Sequence, residues 1–254
     1  MSYSKDKRPK VLKRLKRYTS PKKRDGDKEK KRFIVIFVII CLALACVYKF
    51  LPFQAIINEY IFNIFKPQFT VSENYSKVDN NKNGVADALD IVNGANNEVL
   101  NKTKYISNYY NGGYPPDKEG VCTDVIWRGF KAADINLKDL IDKDIKSNTK
   151  LYPRVDPNAD PNIDFRRVPN QDVFFSRFCL SLTTEVKARN AENLKEWQPG
   201  DIVVFGQGHI GVISDKRDKN GIPYVIHNTK PHASTLKLSY FTTPIKGHYR
   251  WRFN

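Results

Sequence analysis

Three side chains of the types used in nucleophilic catalysis occur where the sequence predicts defined structural positions. Cys122 stands in GVCTDVIWR, in the first turn of a predicted helix, where free main-chain amides and the helix dipole favour a thiolate. His209 heads the second strand of a predicted hairpin, IVVF followed by HIGVIS, and His227 lies near the end of a third predicted strand, YVIHN. A nucleophile, a base and a polar residue that orients the base thus follow one another along the chain.

The residue that orients the base is one of two neighbours. Because side chains alternate across a strand, His227 and Asn228 point to opposite faces, and only one of them can share a face with His209. Either side chain would fix the imidazole tautomer and stabilise its charged form. The residues alone leave both assignments open.

Cys122 also has a purely structural interpretation. A lone cysteine is often a small buried apolar residue, and the carboxylate of Asp124, two residues further on, disfavours a thiolate. A catalytic thiol must be free. We therefore predict that Cys179, in the apolar run FFSRFCLSL, is a core residue and not a disulfide partner of Cys122.

The elements that must position these residues predict an α+β domain over residues 87–254. In this domain the helix that begins with Cys122 packs on an antiparallel sheet that contains the three strands. A preceding helix is predicted over Asp87–Asn108, with apolar residues on one side at helical spacing. It ends before Asn111 and the two glycines that follow.

The chain also carries a predicted membrane anchor. Residues 33–53 form an apolar stretch of 21 residues whose only charge is Lys49, and a bilayer core needs about 20 residues of helix. Residues 1–32 form a basic tail with 15 Lys and Arg against four acids, a net +11 of the chain's total of +16. The positive-inside rule predicts a single-pass protein of the cell membrane, with a cytoplasmic N-terminus and an extracytoplasmic C-terminal domain.

Residues 54–78 are predicted to connect the span to the domain. Phe53, Ile57, Tyr60, Ile61 and Ile64 recur at helical spacing, which indicates a short amphipathic helix on the membrane surface or against the domain. A stalk that continues the membrane helix explains the same spacing equally well.

Residues 79–90, DNNKNGVADALD, have the spacing of a twelve-residue calcium loop with Asp in place of the final Glu. The six ligand positions are Asp79, Asn81, Asn83, Val85, Asp87 and Asp90. The shorter last carboxylate indicates a weak, structural site, and the predicted chemistry requires no cofactor. The alternative is an Asn- and Gly-rich turn whose acidic residues cap the following helix.

Composition and spacing argue against several other functions. Outside the basic tail the charges nearly balance, at net +5, so the footprint of a DNA- or RNA-binding surface is absent and no nucleic-acid partner is expected. Only Cys122 and Cys179 lie beyond the span, without the spacing of a cysteine zinc site. No pair of carboxylates has a spacing typical of a glycosidase.

From about Asn108 to Phe253 the chain resembles the bacterial domain of unknown function 1287 family, which is similar in turn to the NlpC-type papain-like cysteine peptidases of cell envelopes. Six blocks carry the resemblance, in the order GVCTDVIWR, DPNIDFRRVPN, PGDIVVF, HIGVISD, VIHN and GHYR. The resemblance implies a papain-like fold and a membrane-anchored cysteine peptidase or amidase that acts on the peptide part of peptidoglycan. The alternative that it leaves open is a non-catalytic cell-wall binding or scaffold module on the same fold.

The resemblance also implies roles for individual residues. Cys122 would be the nucleophile, His209 its base and His227 the residue that orients the base. Tyr110, twelve residues before the thiol, would lie beside the oxyanion site. Asp124 stands where NlpC-type enzymes tend to have Gly, so the approach of a substrate is expected to differ.

Three arginines lie within the matching blocks. Arg166, Arg167 and Arg250 are candidates for binding a substrate carboxylate, because a guanidinium group holds a carboxylate through two parallel hydrogen bonds. The alternative is that they brace a long loop within the domain, which is the more common use of such side chains.

Overall fold

The structure is a computed structural model that describes residues 26–50, 61, 66–155 and 157–253. The chain divides into two compact units, Met1–Phe65 and Lys66–Asn254. The predicted basic tail is described only from residue 26. The predicted amphipathic helix between Phe53 and Ile64 lies outside the described residues, except for Ile61.

The first unit contains helix α1, Gly26–Phe50. Its segment Lys28–Tyr48 has 21 residues, and an 18-residue window within it has a mean hydropathy of 2.4. At a helical rise of about 1.5 Å per residue this length matches the hydrocarbon core of a bilayer. Helix α1 is therefore long and apolar enough to be a membrane span or a signal sequence.

The second unit combines helices with a sheet, which confirms the predicted α+β class. Its described α-helices are α2 (Asp87–Leu100), α3 (Cys122–Ala132), α4 (Leu137–Asn148), α5 (Val168–Phe178) and α6 (Ala191–Leu194). Three short 3-10 helices cover Thr149–Leu151, Asp164–Arg166 and Leu238–Tyr240. Residues 66–86 have no helix or strand but lie along the unit, where the Phe69 N–H donates to the Lys219 carbonyl at 3.0 Å.

Helix α2 is shorter than the sequence predicted. It ends at Leu100, and the prediction that it continues to Asn108 was wrong. Lys102 adopts a positive φ of 50°, and the Thr103 N–H donates to the Glu98 carbonyl at 3.0 Å, which closes the helix end. The residues after this turn are extended, and they form a strand.

Strand β1 (Lys104–Tyr105) pairs in parallel with β2 (Glu119–Gly120), just before the thiol-bearing helix. The remaining strands form a six-stranded antiparallel sheet in the order β3-β8-β4-β5-β6-β7. These strands are β3 (Leu180–Ser181), β4 (Ile202–Phe205), β5 (His209–Arg217), β6 (Pro223–Asn228), β7 (Ala233–Lys237) and β8 (Ile245–Arg250).

Both faces of the sheet are covered, as strand β4 shows. All four of its residues are buried. Ile202 and Val204 join the apolar core beneath α2–α5, whereas Val203 and Phe205 join a second core that includes Trp197. We call these the helix face and the second face of the sheet. Alternation along each strand therefore decides which side chains can approach the thiol-bearing helix.

Helices α2 and α3 approach each other closely at two glycines. A Cβ atom at Gly129 would lie 2.9 Å from the Ile91 carbonyl oxygen, and one at Gly94 would lie 2.7 Å from the Ala132 Cβ. Larger side chains would push the two helices apart. The close packing fixes α3 between α2 and strand β5, against which α3 also packs.

Candidate functional site

Cys122 is the first residue of α3, as the sequence predicted. The residue before it, Val121, has an extended backbone and no oxygen to cap the helix. The Asp124 carboxylate takes that role and accepts the Val121 N–H at 2.7 Å. Both Cys122 and Cys179 are buried and free, so the prediction that Cys179 is a core residue without a disulfide is confirmed.

Burial dominates the acidity of the Cys122 thiol. Only 4% of this residue is exposed, and burial raises the pKa of its thiol to about 12, with a further increase from the charge of Asp124. The main-chain N–H groups of Ile210, Thr123 and Cys122 itself oppose that rise. The resting thiol is therefore protonated at neutral pH, while the groups around it are arranged to stabilise negative charge on sulfur.

Two histidines form the second part of the site. His209 heads β5, and its Nε2 lies 2.9 Å from Nδ1 of His227 on β6, with the two rings nearly perpendicular. The far side of His227 faces Ser234 of β7, whose Oγ lies 3.4 Å from Nε2. Nδ1 of His209 is the ring nitrogen left for a reacting group.

Two phenylalanines cover the histidine pair. Phe241 lies 5.9 Å from the His209 ring and 5.1 Å from the His227 ring, and Phe205 stacks on Phe241 at 4.2 Å. Burial lowers the pKa of His209 to about 4. Burial, followed by the neighbouring His209, lowers the pKa of His227 to about 4 as well. Both rings are neutral at pH 7.

The thiol and the histidine pair reach the same end of the sheet from different faces. His209 lies opposite Phe205, which places it and His227 on the second face. Cys122 packs in the core of the helix face, and the Ile210 N–H that acts on its sulfur belongs to the residue directly after His209. Within the described chain no hydrogen bond joins the sulfur to the His209 ring. Such bonds are often long in unliganded sites and tighten with substrate.

Asn228 does not contact the base. It lies on the helix face of the sheet, fully buried, and its side-chain N–H groups donate to the carbonyls of Thr103 and Gly120 at 3.3 and 3.1 Å. Asn228 therefore ties the strand before α3 to the sheet. The alternation anticipated from the sequence places His227, and not Asn228, beside His209.

Asp124 and Arg166 form a buried ion pair at the start of α3. The guanidinium group donates to both carboxylate oxygens at 2.7 and 2.8 Å, and each side chain is 1% exposed. Its remaining nitrogen donates to the Asn108 carbonyl at 3.0 Å. Arg166 thus braces the segment around 160–167 against the thiol-bearing helix and compensates the Asp124 charge.

The other two candidate arginines are in different surroundings. Arg250 holds both oxygens of the buried Asp201 carboxylate at 2.7 and 2.8 Å and donates to the Glu196 carbonyl at 2.6 Å. Arg167, the residue that precedes α5, is half-buried and lies near the Asp164 carboxylate. The structure brings none of the three arginines into hydrogen-bond contact with Cys122 or His209 within the described chain.

Tyr110 lies near the thiol-bearing helix, and no hydrogen bond joins it to the thiol among the described residues. Its hydroxyl donates to Glu119 Oε2 at 2.9 Å, and its ring centre lies 5.0 Å from the Arg166 guanidinium carbon. Burial and the hydrogen bond with Glu119 raise the pKa of the Tyr110 hydroxyl.

Tyr105 is a neighbour of the thiol that the sequence analysis missed. It lies in β1 opposite Gly120, two residues before Cys122. Burial, the charge of Cys122 and that of Asp124 raise the pKa of its hydroxyl, in that order of size. The sequence placed Tyr105 inside a predicted helix, and only the end of α2 at Leu100 brings it to this position.

The predicted calcium loop closes on itself through its own side chains. The Asp79 carboxylate accepts the N–H groups of Asn83 and Gly84 at 3.1 and 2.9 Å, and the amides of Asn81 and Asn83 donate to one oxygen of Asp90 at 3.0 and 2.9 Å. The carbonyl of the seventh position belongs to Val85, whose N–H donates to the Asn83 side chain at 2.7 Å.

Asp87, the ninth position of the loop, is fully buried and accepts the main-chain and side-chain N–H groups of Asn80. No group of three His, Cys, Asp or Glu side chains converges on one point among the described residues. A cation held here would depend on amide and main-chain oxygens as well as carboxylates. Calcium binding stays a prediction.

The chain has clear sequence relatives. The family described as "Domain of unknown function (DUF1287)" matches residues 92–251, which include α3 and the whole six-stranded sheet. The uncharacterized protein YijF of Escherichia coli (strain K12) is 36% identical over 153 residues, which are 58% of this chain and 71% of that protein. The matched region carries Cys122 and the histidine pair. The chain belongs to the DUF1287 family.

Proposed function

We propose that this protein is a membrane-anchored cysteine hydrolase with a papain-like, NlpC-type domain that cleaves an amide bond in the peptide part of peptidoglycan. One observation carries the proposal. A thiol at the start of a helix lies beside a strand whose first residue, His209, is hydrogen-bonded to a second histidine. A nucleophile, a base and a residue that orients the base are the parts that acyl transfer requires.

The reaction begins when Cys122 Sγ attacks the carbonyl carbon of the scissile amide. The thiol proton passes to Nδ1 of His209, and the carbonyl oxygen becomes an oxyanion near the first main-chain N–H groups of α3. The C–N bond then breaks, and His209 returns the proton to the leaving amine. Water attacks the resulting thioester with His209 as base, which releases the carboxylic acid and restores the thiol.

The orienting contact assigns the tautomers. If His209 accepts a proton at Nδ1, its Nε2 must carry hydrogen and donate to Nδ1 of His227, which then carries its own hydrogen on Nε2. Ser234 Oγ is the acceptor within reach of that hydrogen, at 3.4 Å. His227 thus stabilises the charged form of His209, and Ser234 is a positioning residue that acts through His227.

The pKa directions give this mechanism a specific form. Because burial raises the pKa of the Cys122 thiol to about 12 and lowers the pKa of His209 to about 4, both groups are neutral in the resting protein. A preformed thiolate–imidazolium pair is therefore not favoured. Proton transfer accompanies attack, and the reaction requires His209 Nδ1 to come within hydrogen-bond reach of Sγ when substrate binds.

The site of action follows from the anchor. Helix α1 is apolar over residues 33–48, and the basic residues precede this stretch. By the positive-inside rule the tail stays in the cytoplasm and the 66–254 unit lies outside the membrane. Peptidoglycan and envelope peptides are the amide substrates that such a unit would meet.

The test uses the full-length protein in detergent with purified muropeptides, and product masses identify the bond that is cut. We expect hydrolysis by the wild type and by Cys179→Ala, which removes the matched buried thiol, and none by Cys122→Ala. If no variant releases product but all of them retain muropeptide binding, the non-catalytic wall-binding module is the correct function. The observation that favours this second candidate is that Cys122 packs in the core of the helix face whereas His209 lies on the second face of the sheet.

A further inference from the structure

A cleft separate from the thiol site crosses the outer side of helix α3. On one side is a cavity of about 490 Å³, bounded by Tyr114, by Trp127 and Lys131 of α3, and by Asp134 at the turn before α4. On the other side is a cavity of about 360 Å³ between α2 and α3, which shares Trp127, Lys131 and Asp117 with the first. We call the two together the α3 cleft.

The α3 cleft has an aromatic wall. Tyr114 is 43% exposed, and its ring packs on Trp127 at 4.8 Å and on the buried Phe165 at 5.7 Å. Trp127 is itself held by a hydrogen bond from its Nε1 to the Asp124 carboxylate at 2.8 Å. A fixed, partly exposed aromatic ring beside polar groups suits a ligand with both apolar C–H faces and polar edges.

The charges around the cleft cancel. The first cavity is lined by two lysines, Lys131 and Lys138, and by two aspartates, Asp117 and Asp134, and Lys138 is paired with Asp142 at 2.5 Å. The second cavity is lined by Glu98 and Arg128, which are paired with each other. A phosphate or another polyanion would meet as many carboxylates as ammonium groups. Charge therefore favours an uncharged ligand over an ionic one.

The second cavity adds amide groups. Asn97 and Asn101 line it, and both residues are exposed at the end of α2. Each side-chain amide offers two donor hydrogens and an acceptor oxygen, which match the hydroxyl and N-acetyl groups of amino sugars. Aromatic rings, amides and balanced charges together favour a hydroxyl-rich, neutral ligand.

We propose that the α3 cleft binds a saccharide chain, namely the glycan strand from which the peptide substrate extends. The inference deepens the proposed function and rests on it for the identity of the strand. Trp127 lies five residues along α3 from Cys122, a rise of about 7.5 Å along the helix axis and a turn of about 140° around it. The path over the helix surface is about 15 Å, which an extended peptide covers in about four to five residues. A sugar in the cleft would thus deliver an amide bond within its peptide to the thiol.

The test measures saccharide binding without any peptide chemistry. The full-length protein carrying Cys122→Ala is titrated in detergent with the uncharged tetramer of N-acetylglucosamine, followed by calorimetry and by tryptophan fluorescence. We expect saturable binding. In the same background, Tyr114→Ala should weaken binding about tenfold and Tyr114→Phe about twofold or less, because the second change keeps the ring.

Two further variants guard against misfolding and chance contacts. Lys131→Ala alters only an exposed side chain in the cleft and should weaken binding about threefold. Tyr240→Ala, which removes a 61% exposed tyrosine outside the cleft, should leave it unchanged. The inference would be overturned if the Cys122→Ala protein showed no saturable binding. It would also be overturned if adding Tyr114→Ala or Lys131→Ala left the affinity of that protein unchanged.

A free stem peptide is the competitor that separates this inference from the proposed function. It should not displace the saccharide, and displacement would mean that the cleft is the peptide site instead. Peptide hydrolysis by the wild type without saccharide binding removes only the cleft assignment. Saccharide binding without any hydrolysis removes the enzymatic proposal and leaves the cleft as a wall-binding site.

Discussion

Acidification should destabilise the 66–254 unit through the His209–His227 pair. In an unfolded chain a histidine has a pKa near its usual value of 6.5, whereas burial lowers the pKa of both rings to about 4 in the folded protein. Between these values the unfolded state binds more protons, so the free energy of unfolding falls as the pH falls. This contribution is fully present above pH 6.5 and is lost progressively toward pH 4.

The size of this effect follows from the two pKa values. Each histidine contributes a loss of about 2 kcal/mol between pH 7 and pH 5, because a shift of one pKa unit corresponds to about 1.4 kcal/mol. The two rings interact, so the pair together should lower stability by about 2 to 4 kcal/mol over this interval. An isolated exposed histidine would show no such loss.

The assay is denaturant unfolding of the full-length protein in detergent at pH 7 and pH 5. Trp127, Trp197 and Trp251 all lie in the 66–254 unit, so their fluorescence reports on that unit. The double variant His209→Gln/His227→Gln should lose about 2 to 4 kcal/mol less stability on acidification than the wild type. The variant His232→Gln is the matched control for removal of a histidine. If the wild type and the double variant lose the same stability, the buried neutral pair is refuted.

Three further predictions concern other parts of the account. His227→Ala should lower kcat for peptide hydrolysis by about 10²-fold or more, whereas Asn228→Ala should mainly lower the melting temperature. If kcat per folded molecule falls more in Asn228→Ala than in His227→Ala, the orienting role belongs to Asn228. Arg166→Met leaves the Asp124 carboxylate buried and unpaired and should lower the free energy of unfolding by about 3 to 5 kcal/mol in denaturant titrations. Adding Asp124→Asn should recover part of that free energy. An unchanged free energy of unfolding in Arg166→Met would contradict the buried pair. Millimolar calcium should raise the melting temperature, and Asp90→Asn should abolish that rise; an unchanged melting temperature in the wild type would favour the simple turn.

Local signals were sufficient to predict the elements that carry the site. Turn residues and apolar periodicity within a few positions predict the helix that begins at Cys122. They also predict the hairpin whose second strand begins at His209. Strand alternation also separated His227 from Asn228, because it follows from backbone geometry alone. The end of α2 was missed because the helical spacing continues past a turn that a positive φ at Lys102 imposes.

Long-range contacts could not be predicted in this way. Arg166 lies 42 residues from Asp124 in sequence, and Phe241 covers the histidines only because the 3-10 helix before it folds back over β6. Ser234 reaches His227 through cross-strand pairing whose register the sequence did not specify. Such contacts form only when the sheet is assembled. Because they determine the electrostatics of the site, local sequence patterns could not predict those electrostatics.

The most direct measurement of the central claim is the detection of an acyl group on Cys122. The full-length protein is mixed with its muropeptide substrate, quenched in acid within the first turnover and digested for mass spectrometry. We expect a thioester on the peptide that contains Cys122, absent from the peptide with Cys179, and lost when His209→Ala removes the base that accepts the thiol proton. Hydrolysis that proceeds without this adduct, or that survives Cys122→Ala, would contradict it.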